Sequence, residues 1–215
     1  MDMDRAFEAE LLDSLPATDP EALRSRRELR LINALMGNER WFRRQLERWV
    51  QPGEAVLEIG AGEGHLRKTA GNGFDYAGLD RMPKPADWPA GASWHQVDVR
   101  DFRDWSGYEV ICGNLFFHHL SATELYALGQ KVTKSARVIL ASEPAREPQW
   151  QRLFGMLCPL LGVGEVTRHD GQVSIASGFK CDELPHWLGL HFGTGWWGEV
   201  QLTRTGAYRM VAVRP

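Results

Sequence analysis

The chain has 215 residues, 43% of them hydrophobic and 25% charged, with a formal net charge of -3. That length suits one α/β domain with a sizeable core, and the mildly acidic balance argues against a generally nucleic-acid-binding surface. No run is long and apolar enough to span a bilayer, and the acidic opening from Met1 to Glu8 lacks the apolar stretch of a signal peptide.

The cysteines at 112, 158 and 181 are far apart and mostly sit among apolar neighbours, so reduced core thiols of a cytoplasmic protein are expected, with no metal ligands.

In chain order, Asp19 and Pro20 open a helix as N-cap and first helical residue; Leu29, Ile32 and Met36 share its face, and Gly37 ends it. A second helix carries Phe42, Leu46 and Trp49 on one side and closes at Pro52-Gly53. Together they predict a helical cap over residues 1–50, ahead of a domain spanning residues 51–215. The same helices bear Arg24, Arg26, Arg27, Arg30, Arg40, Arg43, Arg44 and Arg48. A phosphate-contacting face would use them, but the interleaved Glu21, Glu28, Glu39 and Glu47 favour a solvated surface with local ion pairs.

Val56, Leu57 and Ile59 then read as a buried strand, followed by the alternate glycines Gly60, Gly62 and Gly64. Glycine takes positive φ there at no steric cost and lets a ligand lie on bare backbone. A dinucleotide turn would place a third glycine where His65 stands, so a dehydrogenase is the weakest candidate. A short crossover helix from Gly64 to Ala70, cut by Gly71-Asn72-Gly73, leads to a second strand, Asp75 to Asp80, that ends on a carboxylate. Pro83, Pro85 and Pro89 make the next crossover a loop. A third strand covers Ser93 to Val99, with Asp98 at its end. Tyr108 to Asn114 is a near-continuous apolar strand suited to the centre of a parallel sheet, and it runs into Leu-Phe-Phe-His-His-Leu at 115–120.

In this order, Glu58 to Gly64, Asp80, Asp98 and the Asn114 loop resemble the motifs of class I S-adenosylmethionine (SAM) dependent methyltransferases. Arg-Glu-Leu-Arg-Leu-Ile-Asn at 27–33 and Asn-Leu-Phe-Phe-His-His at 114–119 are similar to the bacterial small-molecule branch, of quinone and polyketide type. The resemblance implies a Rossmann-like α/β fold: a mostly parallel seven-stranded sheet, a C-terminal antiparallel hairpin and an N-terminal helical cap. It also implies SAM as cofactor and S-adenosylhomocysteine (SAH) as product. Glu58, Gly60, Ala61 and Gly62 would meet the methionine part, Asp80 with Arg81 beside it the ribose, Asp98 and the Val99 backbone the adenine, and Asn114 and Leu115 the sulfonium. Asp98 has a competing reading as the cap of a turn at 101–105.

The loop after Asn114 departs from the Asn/Asp-Pro-Pro-Tyr/Phe of methylases acting on the amino groups of DNA bases and glutamine, so that chemistry is disfavoured. The expected acceptor is a small molecule, aromatic or lipid-like, methylated on oxygen, with carbon or nitrogen as the lesser alternatives. His119, then His118, is the candidate base, set against a role in shaping the pocket. An RNA methyltransferase using the arginine-bearing helices and a SAM-binding or partner-binding protein without catalysis remain the alternatives.

Ser121 and Glu124 form a capping box for a helix reaching Lys134. A fifth strand, Ala136 to Ser142, ends in Glu143-Pro144, and Trp150 to Leu161 reads as an apolar helix able to line an acceptor pocket. Gly162 to Gly178, with Arg168, His169 and Asp170, is expected to be an irregular loop, either a lid over the acceptor or plain surface. A short helix from Asp182 to Leu190 precedes a closing hairpin of Trp196 to Leu202 and Ala207 to Val213. Trp187, Trp196 and Trp197 are expected to fill core rather than line a pocket.

Overall fold

The computed structural model describes residues 3–16, 18–70 and 73–214. Its centre is a seven-stranded sheet in the order β3-β2-β1-β4-β5-β7-β6. The strands are β1 (Ala55–Ile59), β2 (Asp75–Asp80), β3 (Ser93–Gln96), β4 (Val110–Asn114), β5 (Val138–Pro144), β6 (Trp197–Leu202) and β7 (Ala207–Val213). The first five are parallel, whereas β7 runs antiparallel to both β5 and β6, as the hairpin reading requires.

The helices are α1 (Leu11–Ser14), α2 (Pro20–Met36), α3 (Asn38–Trp49), α4 (His65–Ala70), α5 (Ala122–Val132), α6 (Pro148–Leu160), α7 (Glu165–Ser177) and α8 (Glu183–Trp187). Alternation along the strands sends their side chains into two apolar layers. Leu57, Ile59, Leu79, Ile111 and Ile139 pack with Leu125, Leu128 and Val132 of α5 and Leu184 of α8. Val56, Tyr76, Val110, Cys112, Val138 and Leu140 pack on the other face with Phe42 and Leu46 of α3 and Leu66 of α4. Phe42 and Leu46 are fully buried, so α3 is a layer of the sandwich.

Local signals explain most boundaries. The Asp19 side chain accepts the backbone N–H of Glu21 and Ala22 at the start of α2, and Gly37 ends that helix at φ 71°. Ser121 and Glu124 form the reciprocal capping box of α5. Three elements differ from the sequence reading. β3 stops at Gln96, because the chain turns at Asp98, whose carbonyl accepts the N–H groups of Asp101 and Phe102. Residues 165–177 form a helix instead of a loop. Their polar composition hides a buried face of Val166, Thr167, Asp170 and Val173, and Gly171 lets the Phe154 ring of α6 lie against the backbone where a Cβ would overlap it. The short α1 gave no sequence signal, because its N-terminal N–H groups are capped from across the fold. Gly71 and Asn72, expected to break the crossover helix, lie outside the described residues.

The thiols divide: Cys112 and Cys158 are buried, but Cys181 is exposed, at φ 48° in a turn. Trp196 is buried while Trp197 is half exposed, on the outer strand β6. No described helix is long and apolar enough to cross a membrane.

Candidate active site

The carboxyl ends of β1, β2, β4 and β5 meet at the middle of the sheet, where the strand order reverses between β1 and β4. In open α/β sheets ligands bind at that crevice. Gly60, Gly62 and Gly64 take φ of 68°, 51° and 71°, the left-handed region that favours glycine. The turn is pinned by the neighbouring strand: the N–H of Gly60 donates to the Leu79 carbonyl at 2.8 Å. The N–H of Gly62 donates to Asp80 Oδ2 at 2.8 Å, and the N–H of Met82 to Asp80 Oδ1 at 2.8 Å. Asp80 therefore clamps the glycine turn to the end of β2 while staying partly open to solvent.

A cavity of about 240 Å³ lies on this turn, and among its walls are Glu58, Gly60, Ala61, Gly62, Asn114 and Leu115. Six residues predicted from sequence thus come together from two strand ends. Its other walls include Arg26, Leu29, Arg30 and Asn33 of α2, with Glu63, His65 and Met82. Arg30 reaches Glu63 at 2.8 Å and joins the cap helix to the glycine turn. The sequence marked these arginines only as a charged face; nothing local tells which of them turns inward.

Asp80, Arg81, Asp98, Val99, His118 and His119 are not among the cavity walls, although Asp80 is hydrogen-bonded to two of those walls, Gly62 and Met82. Arg81 is exposed and lies 3.6 Å from Asp13 of α1. The Asp98 carboxylate accepts from the backbone N–H and the guanidinium of Arg100, at 2.9 and 3.0 Å. Val99 is buried in the core layer of α5.

Asn114 is tied into an amide cluster. Asn38 Nδ2 donates to Asn33 Oδ1 at 2.9 Å and to Asn114 Oδ1 at 3.1 Å, and Asn114 Nδ2 donates to Asn33 Oδ1 at 3.2 Å. This cluster locks the end of β4 to the junction of α2 and α3. Beyond it Leu115 takes φ 55°, a strained value for a branched side chain. Phe116 then lies across Gly60 so closely that a Cβ on Gly60 would overlap its ring.

Glu58 and Glu143 are both buried at strand ends. Glu58 accepts one hydrogen bond, from the Tyr76 hydroxyl at 2.9 Å. Burial, with Asp80 nearby, pushes its carboxyl up to about 8 against the opposing pull of Tyr76 and Arg67. Glu143 accepts four. Its Oε1 takes the N–H groups of Phe116 and Phe117 at 3.0 Å each, and its Oε2 takes the N–H of His118 at 3.2 Å and Nδ1 of the same residue at 2.6 Å. It therefore shapes the loop after β4 and fixes the His118 ring.

His118 is buried, and its Nε2 lies 3.6 Å from Glu10 Oε1, too far for a hydrogen bond. Burial opposes its charged form, but Glu10 and Glu143 outweigh that and hold it up at about 9. Glu10 is lowered to about 2: burial alone would raise it, and contact with charged His118, then the neighbouring His119 and the Ser174 hydroxyl, reverse the direction. His119 stacks on His118 with ring centroids 4.1 Å apart and is exposed at its outer edge. Crowding by protein and the positive His118 push it below the ordinary imidazole value.

Glu10 arrives on an N-terminal strap. Arg5 donates to the carbonyls of Ser177 and Leu120 at 2.7 and 3.0 Å and lies over the rings of Phe179 and Trp187. Asp170 of α7 caps α1 by accepting the N–H groups of Leu11 and Leu12 at 2.7 and 2.9 Å. His169 contacts Asp170 and Glu8, whereas Arg168 and His169 line a separate hollow beside α6. Glu143 had a sequence signal, an acidic residue ending a strand; Glu10 had none.

Sheet order, terminal hairpin and glycine turn define the class I methyltransferase fold. No protein-family model matches the chain. No curated protein matches it either. Among solved structures it resembles the plantazolicin methyltransferase BpumL in complex with SAH, at TM-score 0.66 and 12% identity over 92% of this chain and 91% of that one. The plantazolicin methyltransferase BamL, in complex with a triazolic desmethylPZN analog and SAH, gives TM-score 0.69 at 9% identity over 94% and 92%. The methyltransferase domain of bacterial CtHen1-C gives TM-score 0.60 at 16% identity over 82% and 98%.

Proposed function

We propose that this chain is a SAM-dependent methyltransferase that methylates a hydroxyl oxygen of a small, aromatic or lipid-like acceptor. The observation that carries the reading is the positive-φ glycine turn clamped by Asp80 and opening into a cavity with Glu58, Asn114 and Leu115. The backbone of this turn is open at Gly62, where it can admit the methionine part of SAM, and the carboxylate beside it can accept both ribose hydroxyl hydrogens. Glu58 is suited to the cofactor's ammonium group, whose charge would draw the carboxyl into its ionised form. That the similar BpumL and BamL structures contain SAH, and a desmethylPZN analog in the latter case, supports both the cofactor and a small acceptor.

In the reaction the C–S bond of the sulfonium breaks as the acceptor O–C bond forms, SAH leaves neutral at sulfur, and the hydroxyl proton must go to a base. His119 is that base: it is exposed on the loop after β4, and its lowered pKa leaves it neutral at pH 7. His118, charged and held by Glu143, positions it. The protein's main contribution is alignment of acceptor and methyl group.

Calorimetric titration with SAH, with NAD as control, tests the cofactor. Micromolar SAH binding, no NAD response, and about 100-fold weaker binding by Asp80→Ala are expected. Equal affinity of wild type and variant would remove the reading. With labelled SAM, transfer to phenols or quinols is expected; transfer to RNA instead would replace the acceptor class.

A further inference from the structure

We propose that Glu10, His118 and His119 form a binding site for one divalent cation of the zinc class. One ligand atom from each of the three lies within 4.8 Å of the others. Two further observations point to an ion rather than to an incidental cluster. His118 Nε2 is buried without a hydrogen-bond partner, although it faces a carboxylate. Its 3.6 Å distance to Glu10 Oε1 exceeds a hydrogen bond but suits two ligands of one ion: an ion about 2.1 Å from both would see them roughly 120° apart, near the tetrahedral angle.

The surroundings of His118 fit the same role. Glu143 holds Nδ1 at 2.6 Å, which fixes the ring; an ion that displaces the Nε2 proton would find that nitrogen's lone pair aimed at it, the carboxylate–histidine–metal arrangement of zinc proteins. Two imidazole nitrogens and one carboxylate oxygen are a donor set for zinc and its neighbours rather than for magnesium or calcium. Charge balance agrees: a divalent ion with two neutral imidazoles cancels the two carboxylates, Glu10 and Glu143. His119 is exposed, so a fourth position would open outward to solvent.

The chemical use of this ion rests on the methyltransferase reading above, whereas its binding does not. An acceptor hydroxyl in the open position would be acidified, releasing its proton to solvent as its oxygen takes the methyl from the sulfonium. The ion would then replace His119 as the means of deprotonation, and His119 would serve as a ligand.

The test is equilibrium dialysis of chelator-stripped full-length protein against Zn²⁺ alone, with metal content measured per chain. A parallel Co²⁺ sample is read by its visible absorption, whose intensity reports four-coordination. One ion per chain and a four-coordinate Co²⁺ spectrum are expected, both lost in Glu10→Gln and in His119→Ala and both kept in His191→Ala. Neither ligand change empties the core, and Glu10→Gln can keep its bond from Ser174; circular dichroism checks that each variant is folded. Glu143→Gln should weaken binding about 10–100-fold. Sub-stoichiometric binding, or binding that survives either ligand substitution, would overturn the site. SAH titration of the same samples separates the two proposals: SAH binding without an ion overturns this site alone, and an ion without SAH binding overturns the methyltransferase reading alone.

Discussion

Glu58 and Glu143 end neighbouring halves of the same sheet, equally out of reach of water, yet their surroundings treat charge in opposite ways. Glu143 is met by three backbone N–H groups and an imidazole, an environment built for an anion. Glu58 has one hydroxyl donor and a second carboxylate nearby, so burial wins and its proton stays on to about 8. The two are equally buried, and what distinguishes them is the number of donors aimed at each. One carboxylate is spent on holding a loop, and the other is left hungry for a cation.

Replacing Glu143 by Ala is the largest way to break this contrast. It strips four donors of their acceptor and leaves His118 charged and half paired, and a loss of about 3–5 kcal/mol in urea unfolding is expected. A loss below about 1 kcal/mol would show that the loop does not depend on this carboxylate.

Glu58 sharpens the contrast through pH. Its folded pKa lies above the unfolded value, so its contribution to stability is fully present below about 4.5 and is lost as pH rises toward 8 and beyond. Glu58→Gln, which cannot ionise, should flatten that part of the stability profile. Above pH 8 it should exceed the wild type by on the order of 2–4 kcal/mol. Parallel profiles for the two proteins would contradict the assignment.

Smaller effects should follow along the same scale. Tyr76→Phe removes the sole donor to Glu58 among the described residues, at a cost of about 1 kcal/mol near neutral pH, measured by chemical denaturation. Arg100→Ala removes partners of the solvent-facing carboxylates Asp98 and Glu124, and a change of under about 1 kcal/mol is expected because water replaces the lost charge.

The parts legible in the sequence are those whose cause is local. The glycine turn, the caps at Asp19 and Ser121, the acid ending β2 and the terminal hairpin each follow from residues within a few positions of one another. What was illegible depends on distant partners. α7 is helical because one face packs into the fold, although its composition suggests a loop. Glu10 and His118 are more than a hundred residues apart and meet only because Arg5 and Asp170 tie the strap down. Asp98 carried two readings, and its bonds to Arg100 belong to the turn reading.

The placement of β7 has a consequence for biosynthesis. The last strand in the sequence is also an interior one, because it separates β5 from β6 and forms both antiparallel ladders. Until it leaves the ribosome, β5 has an open edge of buried-type residues, Val138 to Ala141, and β6 has no neighbour to pair with. An exposed apolar edge of that kind is a template for pairing with other chains. The nascent chain is thus open to such pairing between the emergence of β5 and that of β7, and a truncation ahead of Ala207 would make that interval permanent.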